Sequence, residues 1–222
     1  MVRGTGFVTR DRIKDALDAL DAHYEAFDRA KRFSDPVKHP VPCDTRAWSQ
    51  ILVSLLTDIL GRGREKGSDL EDGSDVKAAN VWSAIDTPRF NGAIPAGRKS
   101  KKSMRAPDVT ALDATPHIFF VLWDYMGAEQ FPRCRVWCVR PKEDRVFRDV
   151  CAKWYKQRDQ GLIKSDNFQL QPPRNTDDNV VWNKCGNLDL PLLLSAVRVK
   201  GCFEVVKDDP SVLTTGACKL AL

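Results

Sequence analysis

Two stretches constrain how this chain can fold more than any other feature. His117 to Tyr125 (HIFFVLWDY) and Arg133 to Arg140 (RCRVWCVR) are apolar runs with no sustained polar alternation. A strand that kept one face in water would alternate, so runs like these read as strands covered on both faces. Covering both faces takes helices, which points to an α/β or α+β domain built on a mixed central sheet flanked by helices.

The helices are visible in the periodicity. From about Arg10 to Lys31, the residues Ile13, Leu17, Leu20, Tyr24 and Phe27 recur at helical spacing, with charges on the other faces. The prolines from Pro36 to Pro42 forbid its continuation. Asp44 or Thr45 then suits an N-cap. The stripe Trp48, Ile51, Leu52, Leu55, Leu56, Ile59 and Leu60 makes a second helix, with Gly61 as its expected stop. A third helical face, Val146, Phe147, Val150, Trp154 and Tyr155, lies between Glu143 and Gln160. After Asn167 come short strand-like pieces (NFQLQ, NVVWN, PLLLSAVRV), which predict an irregular β-rich C-terminal part. A length of 222 residues suggests one domain. We expect it to span 1–222, with a core at about 45–160, an N-terminal helix over 10–32 and a C-terminal elaboration over 161–222.

Composition narrows location and partners. No apolar run approaches the ~20 residues of a membrane span. The N-terminus lacks the apolar core of a secretory signal, so a cytoplasmic protein with no membrane partner is expected. The cysteine count is seven, an odd number with no C-x-x-C pair. Reduced thiols acting as small core hydrophobes are the expectation, rather than disulfides or a zinc site. The net charge of +5 permits a polyanionic partner. Arg98, Lys99, Lys101, Lys102 and Arg105 concentrate that charge with no acid among them. Such a run is either a solvated loop or a set of DNA-phosphate contacts that release counterions.

The residues with the clearest chemical content are Asp69, Asp75 and Lys77. A phosphodiester is anionic and repels nucleophiles. A divalent cation such as Mg²⁺ neutralises it and activates a water, and Mg²⁺ takes one or two carboxylates. A lysine beside them can orient the water or stabilise developing negative charge. Asp75 and Lys77, two apart on a predicted strand, share a face. Acids and lysines are also common around plain hairpins, and Asp72-Gly73 predicts a hairpin with arms Ser68–Leu70 and Asp75–Ala78. Strand parity adds a condition. A two-residue loop would put Asp69 on the opposite face from Asp75. A three-residue loop, Asp72 to Ser74, would pair Glu71 with Asp75 and Asp69 with Lys77, bringing the two carboxylates within ~5 Å. Glu71, Asp72 and Asp58 read as surface acids and His117 as a structural histidine. Asn80, Arg89 and Asn91 lie near enough in sequence to reach DNA. Asn167, Gln169, Gln171, Arg174 and Asn175, around Pro172-Pro173, are either a base-reading loop or a plain polar loop.

The order helix, G-S-D-L, turn, D-V-K, two apolar strands, helix resembles the PD-(D/E)xK nuclease superfamily. The run KGSDLEDGSDVKAANVWSAIDTPRFNG resembles Type II restriction endonucleases of the MamI type, the likeness covering roughly Thr45 to Gln160. Ser68 stands where the superfamily pattern has proline, and the acid-to-acid spacing is short, as in the mismatch-repair nicking endonucleases of the superfamily. The resemblance implies a restriction-endonuclease-like fold and Mg²⁺-dependent cleavage of double-stranded DNA at a specific site. Asp69 and Asp75 would bind metal, and Lys77 would assist the attacking water. A homodimer would set two sites across a palindromic target. A repair or recombination nuclease of the same fold, or a catalytically inactive DNA-binding module, are the alternatives.

Overall fold

The computed structural model describes residues 11–42, 44–63, 67–82, 87–96 and 107–221. Helices α1 (Arg12–Ser34) and α2 (Thr45–Thr57) precede strands β1 (Asp75–Asn80), β2 (Phe90–Asn91), β3 (Ile118–Met126) and β4 (Phe131–Val139). Then come α3 (Arg145–Asp159), β5 (Gln169–Leu170), β6 (Val180–Val181), β7 (Asn187–Asp189), β8 (Leu192–Val199), β9 (Cys202–Asp208), α4 (Val212–Thr215) and β10 (Lys219–Ala221). The central sheet runs β1-β3-β4-β8-β9. β1 is parallel to β3 and the other pairs are antiparallel. Two small sheets, β10-β7-β6 and β2-β5, complete the β structure of the described residues.

The two apolar runs form β3 and β4, and their side chains alternate between two cores. Ile118, Phe120, Leu122, Trp137 and Val139 face α3 and the small sheets, while Phe119, Val121, Trp123, Val136 and Cys138 face α1 and α2. Both faces are covered, as the absence of polar alternation requires. The C-terminal run PLLLSAVRV supplies β8, which lies between β4 and β9 in the same sheet. Each long helix begins at an aspartate whose carboxylate accepts from a first-turn amide: Asp11 from Lys14, Asp44 from Arg46 and Ala47, Asp144 from Phe147. These contacts satisfy donors that a helix start leaves open.

Two boundaries differ from the sequence expectation. α2 stops at Thr57, not at Gly61, because Asp58 turns left-handed (φ 58°) and its amide closes on the Ser54 carbonyl. Ile59 and Leu60 therefore fall in the following turn. The predicted hairpin also does not form. The segment around Leu70 makes an isolated antiparallel bridge with Gly61, whereas β1 pairs in parallel with β3, Asp75 against Ile118 and Lys77 against Phe120. The pairings Glu71–Asp75 and Asp69–Lys77 are thus absent. A β3 edge was available to β1, and an extended apolar neighbour offers more buried contact than the short polar arm Ser68–Leu70.

Candidate active site at the free edge of the sheet

β1 is an edge strand. Its Asp75 amide donates to the His117 carbonyl on the β3 side at 3.0 Å. Successive amides of a strand point in opposite directions, so the Val76 N–H points away from the sheet. Two carboxylates meet it there, Asp69 Oδ2 at 2.9 Å and Asp75 Oδ1 at 3.0 Å. The other Asp69 oxygen accepts from Gln50 Nε2 of α2 at 2.6 Å. Lys77 Nζ lies 2.6 Å from Asp75 Oδ2, and an Arg46 guanidinium nitrogen is 3.8 Å from Asp69 Oδ1. The structure thus brings Asp69, Asp75 and Lys77 together, by a route other than hairpin pairing.

That route is a tight turn. The Gly73 amide donates to the Leu70 carbonyl and the Leu70 amide to the Ser74 carbonyl, both at 3.1 Å. Asp72 accepts from the Ser74 amide and hydroxyl, both at 2.8 Å. Gly73 has φ 95°, and a Cβ there would come within 3.4 Å of the Ala114 carbonyl oxygen, so any side chain would be both strained and crowded. The His117 ring braces the turn, with Nδ1 3.3 Å from Ser74 Oγ and Nε2 3.2 Å from the Leu213 carbonyl. Both ring nitrogens are engaged, the satisfied structural histidine that its sequence position suggested. With the chain reversed within residues 70–74, Asp69 lands beside Val76.

The electrostatics of the cluster are strained. Asp69, Asp75 and Lys77 side chains are 10%, 25% and 20% exposed. Burial pushes the Asp75 carboxyl up to about 6, contact with the Asp69 carboxyl adds to the rise, and Lys77 opposes it. Two carboxylates are held this close with Lys77 on one and the well-exposed Arg46 guanidinium 3.8 Å from the other, a grouping whose repulsion an arriving cation would relieve. Oxygen donors from two aspartates suit a hard divalent ion such as Mg²⁺.

The remaining sequence candidates separate. Arg98, Lys99, Lys101, Lys102 and Arg105 lie outside the described residues. Asn80 ends β1 by accepting from the Trp82 amide at 2.8 Å. Trp82 is buried, and its Nε1 donates to the Asp124 carbonyl at 2.6 Å. Asp58 is exposed and lines, with Asp69, a groove of about 440 Å³ along α2. Cys134, Cys138, Cys151, Cys185 and Cys218 are buried free thiols, Cys202 is an exposed one, and burial pushes Cys138 up to about 12. Gln50, which holds Asp69, escaped the sequence reading. It sits in a helix with no motif around it, and only the packing of α2 against β1 shows which acid it meets.

The chain matches the MamI restriction endonuclease family over residues 32–198. It therefore belongs to that family, whose sequence span includes Asp69, Asp75 and Lys77. It is similar to the Type II restriction enzyme MamI of Microbacterium ammoniaphilum, with 36% identity over 160 residues, covering 68% of this chain and 50% of that enzyme. The chain thus spans about half the length of the curated relative it matches. No solved structure matches. Among the described residues, no helix is long and apolar enough to cross a membrane.

Proposed function

We propose that this protein is a Type II restriction endonuclease that hydrolyses phosphodiester bonds of double-stranded DNA at a specific site with Mg²⁺. The observation that carries the reading is the meeting of Asp69, Asp75 and Lys77 around the outward-pointing Val76 amide, within a chain of the MamI family. Asp69 and Asp75 would hold the metal. When bound it would neutralise the phosphate and lower the pKa of a water. Gln50 fixes the Asp69 carboxylate against β1. Lys77, its ammonium held by Asp75, is placed to orient the attacking water or to donate to a phosphoryl oxygen as negative charge grows there. The basic run Arg98 to Arg105 would add phosphate contacts, and a homodimer would supply one such site to each DNA strand. Incubation of the purified chain with genome-sized DNA tests this. Discrete fragments with Mg²⁺ and intact DNA with EDTA are expected. Intact DNA under both conditions would refute the proposal. Sedimentation on a short cleaved duplex tests the dimer, which a 1:1 complex completing double-strand cleavage would exclude.

A further inference from the structure

On the α3 side of the sheet, well along β1 from the carboxylates, the chain builds a second polar surface at considerable cost. Asp124 is fully buried and receives Arg133 Nε at 2.9 Å, Arg133 Nη2 at 2.8 Å and Arg135 Nη2 at 2.8 Å. The same two guanidiniums reach outward to one loop. They donate to the carbonyls of Pro173, Thr176 and Asp178 at 2.6–2.7 Å, and Arg133 also pairs with Asp177 at 2.8 Å. The Asn175 amide adds a 3.3 Å contact to Asp124, in a residue held left-handed at φ 56°. Buried charge of this kind contributes little net stability, and its best-attested use is to fix one conformation.

The loop so fixed carries exposed Gln171 and Arg174. Gln171 exchanges both backbone hydrogen bonds with Trp182 at 2.9 Å, and Trp182 is 42% exposed. Two clefts of about 300 and 230 Å³ flank that indole. Their lining includes Asn167, Gln169, Gln171, Arg174 and Lys184, and no acidic side chain. Thr87 and Pro88, which follow β1 in the chain, close the smaller cleft. Asp75 and Lys77 share the sheet face of Ala79, whose core contains Leu170 and Val181 beneath this surface.

We propose that Gln171 and Arg174, with Trp182 between the clefts, read base edges of the DNA. This inference rests on the DNA-cleaving function proposed above. Three features favour a duplex as the occupant: amide and guanidinium heads that match base edges, Arg174 and Lys184 in cleft walls that hold no acid, and a backbone fixed in advance. Arginine pairs best with guanine and glutamine with adenine.

The test is a binding selection from a pool of random duplexes, run in Mg²⁺ with an Asp75→Asn parent so that bound DNA stays intact. The parent should enrich one motif. Adding Arg174→Ala should relax the preference at a guanine position by ~10–100-fold, and adding Gln171→Ala should do the same at an adenine position, with other positions unchanged. Arg174→Lys should also relax it, since an ammonium lacks the bidentate fork. The same motif in every variant would overturn the inference. So would a uniform loss across sequences with a salt slope lowered by about one, the mark of a phosphate contact. A parent that enriches no motif would overturn it as well. Failure of the nuclease proposal shows separately, as wild-type protein that selects a motif and does not cut.

Discussion

The molecule contains two clusters of acid and base that differ in how completely they are closed off from water. At the β1 edge, Asp69 and Asp75 share one amide, with Lys77 on Asp75 and Arg46 3.8 Å from Asp69, remain part-exposed, and Asp75 is pushed up to about 6 by burial and by its neighbour. Inside, Asp124 accepts three guanidinium hydrogen bonds and one amide, and it and both arginines are almost wholly out of water. In the interior cluster every guanidinium nitrogen but Arg135 Nε is engaged, and the surface Asp177 answers the second positive charge, so the cluster fixes structure. The edge cluster keeps access to solvent, which the proposed receipt of a cation and a phosphate requires. A pair of carboxylates near a lysine is chemically useful where the protein has left it open to solvent.

Substitutions should separate the two. Asp69→Asn or Lys77→Met should lower DNA cleavage by ~10²-fold or more while melting stays near that of wild type. Cleavage at the wild-type rate would move the chemistry elsewhere. Asp124→Ala should do the reverse. It strands two buried guanidiniums, so denaturant unfolding should show a loss of about 3–5 kcal/mol. A loss below ~1 kcal/mol would mean the loop, rather than Asp124, compensates those charges.

A third buried group gives the stability a pH dependence. His23 packs among Trp48, Trp82 and Trp123 and is 3% exposed, and burial lowers its pKa to about 4, with Asp44 opposing. The unfolded chain protonates this histidine below ~6.5 while the folded chain does not, so stability should fall as pH drops from ~6.5 toward 4, by about 3 kcal/mol from this residue. Asp75, raised to about 6, titrates in the opposite sense: it gains stability as pH falls from ~6 toward its unfolded value. The difference between wild type and His23→Phe isolates the histidine. The variant should have the shallower acid limb, and parallel limbs would contradict the assignment.

The smallest effect concerns support of the edge cluster. Gln50→Ala removes the 2.6 Å bond to Asp69 without touching the acids. A ~10-fold rise in the Mg²⁺ concentration for half-maximal cleavage is expected, with the maximal rate less affected. An unchanged Mg²⁺ titration would make Gln50 a packing residue only.

Much of this was legible in the sequence because it depends on local pattern. The apolar runs specified β3 and β4, helical spacing specified α1, α2 and α3, and the D-x-K spacing put Asp75 and Lys77 on one face. Asp69 does meet Asp75 and Lys77, but by a device other than the expected hairpin. The Asp72-Gly73 signal marks a chain reversal, and it does not say whether the arms pair with each other or with third parties. Here β3 took β1, and the arm bearing Asp69 bridged to Gly61. The roles of Gln50 and of the Asp124–Arg133–Arg135 cluster were invisible because they arise between segments far apart in the chain. Arg133 and Arg135 sit inside an apolar run, and nothing local distinguishes a buried ion cluster from a solvated strand end.

The most direct test of the central claim, that the β1 edge performs the chemistry and the rest of the fold presents the DNA to it, is Asp75→Asn measured for cutting and binding on the same duplex. The account predicts a melting temperature and a DNA affinity close to wild type, with strand cleavage in Mg²⁺ at least ~10²-fold slower. Cleavage by Asp75→Asn at the wild-type rate would contradict it.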